Sequence, residues 1–219
     1  RDIEVKGQFR LQQQAKVSDL FASGPTSLFS MPSSQVDLWT GSSLYLDDAH
    51  LGGSFWSTGQ SKLVVNGEIW FLGTTTIDAQ SEVLATGPIY CFRSFDYIGP
   101  VISIRGILSS EALVAFTALP SPAMVGTPTV RGGGRLEAPE VRVGGGARPI
   151  SLALESDATL IATGKDSGRG LVLGTDSLGL ELPAEGAVTL QLGQLHLAPD
   201  ESSPSATTRT VDLVLNRPE

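Results

Sequence analysis

His50 and His196 are the only two histidines in the 219-residue sequence. An imidazole changes charge near neutral pH, so it is the first group to look for where protons or metals are handled. Asp47 and Asp48 stand beside His50, and a carboxylate there could orient the ring toward a serine or help it hold a cation. Neither histidine has a partner at a metal-ligand spacing such as His-x-x-x-His. Each sits in a strand-like context and reads as a partly exposed strand residue. Gly52-Gly-Ser-Phe-Trp56 is not the Gly-x-Ser-x-Gly elbow that presents a nucleophilic serine. Thr163-Gly-Lys-Asp-Ser-Gly-Arg-Gly170 has the lysine and glycines of a phosphate loop but lacks the first glycine at the required spacing. It also places Asp166 where a hydroxyl must hold magnesium and leads into a strand-like segment where a helix is needed. A hairpin loop accounts for it. These residues point to no catalytic group, no metal and no cofactor, and the protein reads as non-enzymatic.

Two groupings suit binding better than catalysis. Arg131, Arg135, Arg142 and Arg148 lie in Val130-Arg-Gly-Gly-Gly-Arg135 and Val141-Arg-Val-Gly-Gly-Gly-Ala-Arg148, with only Glu137 and Glu140 as acids among them. Flexible glycines would let guanidinium groups reach phosphates without reading sequence, which makes DNA the ligand this stretch suggests. Solvated arginines beside glycine turns are the plainer account. The formal net charge of −8 argues against a generally basic surface, so phosphate binding needs a segregated patch. The second grouping is aromatic: Trp39, Tyr45, Phe55, Trp56, Trp70, Phe71 and Tyr90. Any of these left outside the core on one face would form a stacking or carbohydrate-binding platform. Cys91, the only cysteine, excludes an intramolecular disulfide. It shares the inward parity of Ile89 and reads as a buried, inert thiol.

Strands must position these groups. The pattern apolar, any, apolar, any, Gly, any, apolar appears as Leu63, Val65, Gly67, Ile69, then as Val83, Ala85, Gly87, Ile89, then as Ile102, Ile104, Gly106, Leu108. A degenerate earlier copy is Leu44, Leu46, Asp48, His50. Period-two alternation puts each apolar set on one face of a strand, and a return near twenty residues is typical of solenoid coils. An evenly spaced meander or sandwich would show the same pattern. A charged content of 17% with 25 glycines fits an all-β chain with many short turns.

Residues Arg1 to Ser23 are predicted to form a helix. They are rich in Gln and Lys, lack Pro, carry a partial apolar stripe, and end at Gly24-Pro25. Later segments such as Thr159-Leu-Ile-Ala162, Val188-Thr-Leu-Gln-Leu192 and Val211-Asp-Leu-Val-Leu215 read as strands. Leu182-Pro-Ala-Glu-Gly-Ala-Val188 reads as a hairpin connection, and a change of parity across Gly193 predicts a bulge. The segment from Pro199 to Thr208 reads as an exposed loop. The expected fold class is therefore mainly β with one N-terminal α-helix, a short β-solenoid-like repeat region and an antiparallel β-sheet. The expected division is 1–40 for the helix and connection, 41–119 for the repeats and 120–219 for the antiparallel region.

A polar, Gln-rich opening segment, a Ser- and Pro-containing connection and then only strands form an order of elements. That order resembles the periplasmic part of a type IV pilin or pseudopilin, most of all in residues 1 to 40. The resemblance implies an extracellular, cell-surface filament subunit with other pilin-like subunits as partners. It implies contact with a membrane only through an apolar segment ahead of Arg1, in line with a chain that opens on Arg and not Met. Minor pilins of natural-transformation systems carry added β-rich domains, and that likeness would make DNA the ligand. The repeat region is larger than a usual pilin loop, and the paired cysteines that often close the family's C-terminal loop are absent. The competing class is a β-solenoid or sandwich module of a viral or secreted adhesin that binds carbohydrate, usually as a homo-oligomer. A lyase or hydrolase on a β-helix is the weaker third class, because no cluster of acidic and basic side chains can be picked out on one strand face.

Overall fold

The alternation in the sequence does build strands, and in the computed structural model they wind into a parallel β-solenoid. The structure describes residues 2–5, 8–11, 27–30, 34–92, 102–117, 127–146, 149–165, 169–174 and 176–197, the first two segments by backbone alone. The chain opens with β1 (Asp2–Val5) and β2 (Gln8–Leu11). Next come β3 (Ser27–Ser30), β4 (Gln35–Leu38), β5 (Ser43–Leu46), β6 (Asp48–Leu51), β7 (Ser54–Ser57) and β8 (Lys62–Val65). They are followed by β9 (Ile69–Phe71), β10 (Thr75–Ile77), β11 (Glu82–Ala85), β12 (Ile89–Phe92), β13 (Ile102–Ile104) and β14 (Ile107–Ser110). Then come β15 (Leu113–Thr117), β16 (Thr129–Val130), β17 (Arg135–Ala138), β18 (Glu140–Val143) and β19 (Ile150–Leu154). The described chain closes with β20 (Thr159–Ala162), β21 (Gly170–Leu173), β22 (Ser177–Glu181), β23 (Thr189–Leu192) and β24 (Leu195–Leu197).

From β3 onward every third strand joins the same sheet. Sheet A runs β1-β3-β6-β9-β12-β15-β18-β21-β24, sheet B runs β2-β4-β7-β10-β13-β16-β19-β22, and sheet C runs from β5 through β8, β11, β14, β17 and β20 to β23. Every pairing is parallel. Alternate residues point inward and stack turn upon turn, as Leu44, Leu63, Val83, Leu108, Leu136 and Leu160 do in sheet C. Phe55 of β7 and Phe71 of β9 meet inside at 5.4 Å between ring centroids and link sheets B and A. Cys91 is buried in the same interior, and burial pushes its thiol pKa up, which keeps it protonated and unreactive.

Two elements of the expected fold class are overturned. Where a helix was predicted, residues 2–5 and 8–11 are strands, with Ile3 in register with Leu28 and Phe9 with Val36. Ile3 and Val5, then Phe9 and Leu11, alternate with period two, and pairing to the next turn outweighs the modest helix propensity of their neighbours. The rest of the predicted helix, residues 12–23, lies outside the described residues, as do the strand predicted at 211–215 and the loop predicted at 199–208. The antiparallel sheet is absent among the described residues: β16 to β24 pair in parallel like the earlier strands. Residues 182–188 pass from sheet B to sheet C and reverse nothing. The parity change across Gly193 is likewise a corner, where the chain leaves sheet C for sheet A. With those two features gone, a pilin-like fold has no support.

The repeat needs a similar refinement. Leu63, Val65 and Ile69 do stand in register with Val83, Ala85 and Ile89, twenty residues on. The third copy is out of phase, because Ile102–Ile104 lies in sheet B and Gly106 turns the B–C corner. Later turns lengthen, and Val141 pairs with Leu171, thirty residues on.

Five of the seven described B–C corners share one shape. Gly41, Gln60, Gln80, Gly133 and Asp157 each stand two residues before a sheet C strand, with φ of 72, 65, 68, 77 and 65°. The following residue turns into the core and is small and buried: Ser42, Ser61, Ser81, Gly134 or Ala158. Left-handed backbone costs a non-glycine residue energy. Asp157→Gly should therefore raise stability by roughly 0.5–1 kcal/mol, seen as a higher urea midpoint with unchanged slope. A lower midpoint would show that the corner is not strained there.

Candidate functional site

The outer faces carry whatever function the solenoid has, since its interior is filled with side chains. On sheet A, Phe29, His50, Trp70 and Tyr90 occupy successive in-register outward positions on β3, β6, β9 and β12. Phe29 and His50 lie 5.0 Å apart, His50 stacks on Trp70 at 5.5 Å and 18°, and Trp70 meets Tyr90 at 4.9 Å and Phe92 at 5.1 Å. Tyr90 and Phe92 stack at 5.8 Å. Two of these contacts are stacked and three tilted, and together they clamp four turns. His50 Nε2 lies 3.5 Å from Glu68 Oε1, an ion pair when the imidazole is protonated. Asp48, one of the two carboxylates singled out beside His50 in the sequence, instead accepts the Glu68 amide at 3.0 Å. The twenty-residue spacing of His50, Trp70 and Tyr90 was the sequence signal for this row.

His196 is on the same sheet but five strands further from His50 than a neighbour would be, with β9, β12, β15, β18 and β21 between them. Its Nε2 contacts Gln194 Oε1 at 2.8 Å. Among the described residues no three His, Cys, Asp or Glu side chains gather as a metal site requires, and no helix is long and apolar enough to cross a membrane. The stretch that shares features with a phosphate loop connects β20 of sheet C to β21 of sheet A and so is no hairpin, with residues 166–168 outside the described residues.

The arginines do not converge. Arg131 follows β16 on sheet B, Arg135 begins β17 on sheet C, and Arg142 points out from β18 on sheet A, while Arg148 lies outside the described residues. Each of the three has its own carboxylate: Arg131 pairs with Glu155 at 2.5 Å, Arg135 with Glu137 at 2.7 Å, and Arg142 with Glu140 at 2.6 Å. Three neutralised guanidinium groups on three sides of a prism make no single basic face.

Phe29 of the aromatic ladder on sheet A is 38% exposed, and three further aromatic residues are exposed away from it. Trp56 lies within β7 on sheet B and is 43% exposed, Trp39 follows β4 at the B–C corner and is 37% exposed, and Tyr45 on β5 of sheet C is 43% exposed. Trp56 is in register with Asp37, two residues before Trp39, so the two indoles belong to adjacent turns. Around them are Gln35, which donates to Asp37 Oδ1 at 2.8 Å, and Thr58 and Thr76. Along the same corner Gln60 Nε2 donates to Gln80 Oε1 at 3.1 Å. The Trp and Tyr residues were legible in the sequence; the two glutamines were not singled out.

The fold and this edge define a class, a three-sided parallel β-solenoid with an aromatic and amide-bearing B–C edge. Comparison with protein-family models, with curated proteins and with solved structures finds no match.

Proposed function

We propose that the protein is a non-enzymatic β-solenoid binding module, of the kind an adhesin displays, that holds an extended neutral polysaccharide along its B–C edge. The observation that carries this reading is the pair of exposed indoles, Trp39 and Trp56, on consecutive turns. Sugar rings present C–H faces that pack on indole, and their hydroxyls seek amide and hydroxyl partners such as Gln60, Gln80 and Thr58. A chain lying along the solenoid axis would meet a new turn about every 4.8 Å, close to the advance of one pyranose in an extended β-linked glycan. An uncharged ligand also suits a protein of net charge −8, which would repel acidic polymers.

Affinity electrophoresis and pull-down on insoluble glucans, mannans and chitin test the reading. Wild-type protein should be retained by at least one of these. The double variant Trp39→Ala/Trp56→Ala should lose tenfold or more in affinity, about 1.4 kcal/mol or above, when compared with wild type at a temperature where both are folded. Retention of the double variant equal to wild type, or no retention of wild type on any of them, rules the reading out.

A further inference from the structure

The sequence has two asparagines, Asn66 and Asn216. Asn66 is followed by Gly67 and stands exposed at the corner between β8 of sheet C and β9 of sheet A. The main chain there is held from both sides. Asn66 N donates to Leu46 O at 2.9 Å, Gly67 O accepts from Gly87 N at 3.0 Å, and Thr86 Oγ1 donates to Asn66 O. Among the described residues neither the Asn66 side-chain amide nor the Gly67 backbone N–H has a hydrogen-bond partner, so the electrophile and the nucleophile of a reaction between adjacent residues are both uncommitted.

We infer that Asn66-Gly67 is a site of spontaneous deamidation in the folded protein, with isoaspartate among its products. The Gly67 nitrogen, on losing its proton to hydroxide, attacks Asn66 Cγ. The new N–C bond closes a five-membered succinimide, the Cγ–Nδ2 bond breaks, and ammonia leaves with the proton it needs from water. Water then opens the ring at either carbonyl, giving aspartate or isoaspartate. Glycine is the follower that leaves this nitrogen least shielded, and the fold requires glycine here: a Cβ on Gly67 would run into Asp48 Oδ1 and the Asp47 carbonyl. The same close packing that keeps Gly67 therefore keeps Asn66 labile.

Isoaspartate carries the main chain through an extra methylene between two atoms pinned to adjacent turns. The displaced neighbour is Glu68, whose amide is bound by Asp48 and whose carboxylate faces His50, and two residues on is Trp70 in the aromatic ladder. Conversion is thus expected to change tryptophan fluorescence as well as charge.

The test is incubation of the whole folded chain in mildly alkaline buffer, followed by isoelectric focusing and peptide mapping with detection of isoaspartate. The expected result is one added negative charge on the formal −8, isoaspartate at position 66, a rate proportional to hydroxide, and a matching change in tryptophan emission. Asn66→Gln should abolish the charge gain, because closure of a six-membered imide is far slower, and should leave the melting temperature unchanged at this exposed site. Two results would overturn the inference: position 66 intact in the folded chain while the urea-unfolded chain converts, or conversion confined to Asn216.

Discussion

Replacing Gly87 by alanine is expected to destabilise the solenoid by about 3 kcal/mol. At an ordinary backbone conformation the same change would stabilise by about 0.4–1 kcal/mol through the unfolded chain. Gly87 is not among the positive-φ residues, so its role is not conformational. Its amide donates to Gly67 O at 3.0 Å, and a Cβ would fall 2.5 Å from that oxygen and 2.7 Å from its carbon. Both atoms are backbone, and Ala85 in register with Val65 and Ile89 with Ile69 hold the two turns on either side of the corner. Neither turn can yield without breaking its pairing. The collision occurs at Cβ itself, so Gly87→Val should cost little more than Gly87→Ala. Urea denaturation of both variants checks this, and an alanine variant as stable as wild type would remove close stacking as the reason for glycine.

Trp70→Ala should cost about 3 kcal/mol, the lower end of the range for large aromatic truncations because the residue is only half-buried. Trp70 touches His50, Tyr90 and Phe92, and each aromatic pair adds about 0.5–1.5 kcal/mol beyond the area it covers. Trp70→Phe should cost under about 1 kcal/mol, since it keeps a ring in the stack and removes Nε1, a buried donor with no acceptor among the described residues. Chemical denaturation of the two variants separates stacking from hydrogen bonding. A loss in Trp70→Ala below about 1 kcal/mol would mean that the ladder contributes little to holding the turns together.

The inward residues were readable because alternation is a local property. Leu63, Val65, Val83 and Cys91 face the core for the reason their spacing suggests: successive side chains of a strand point to opposite sides, and only one side is dry. Strand identity around 159–162 and 188–192 was legible for the same reason. The helix predicted at the start failed because Gln- and Lys-rich composition is a weak preference that one parallel partner strand overrides. Hairpins were read between β22 and β23 because a short Pro- and Gly-containing connection looks alike whether the chain reverses or turns a corner.

The binding edge divides along the same line. Trp39, Tyr45 and Trp56 stood out by type alone, but nothing local distinguishes them from Trp70 or Tyr90. That distinction rests on which strand lies beside each ring one turn away. Similarly, Arg131, Arg135 and Arg142 are close in sequence yet face three sides, because each short strand enters a different sheet. By itself, then, the sequence determined many of the strands, the buried faces of those it marked and the inert thiol, all consequences of sterics and solvent acting within a few residues. Only the tertiary structure decided that every third strand pairs, that all described pairings are parallel, and which aromatics meet across the turns of sheet A. Those outcomes depend on backbone hydrogen bonds between residues twenty to thirty positions apart, whose partners are chosen when the coil closes and not by the residues alone.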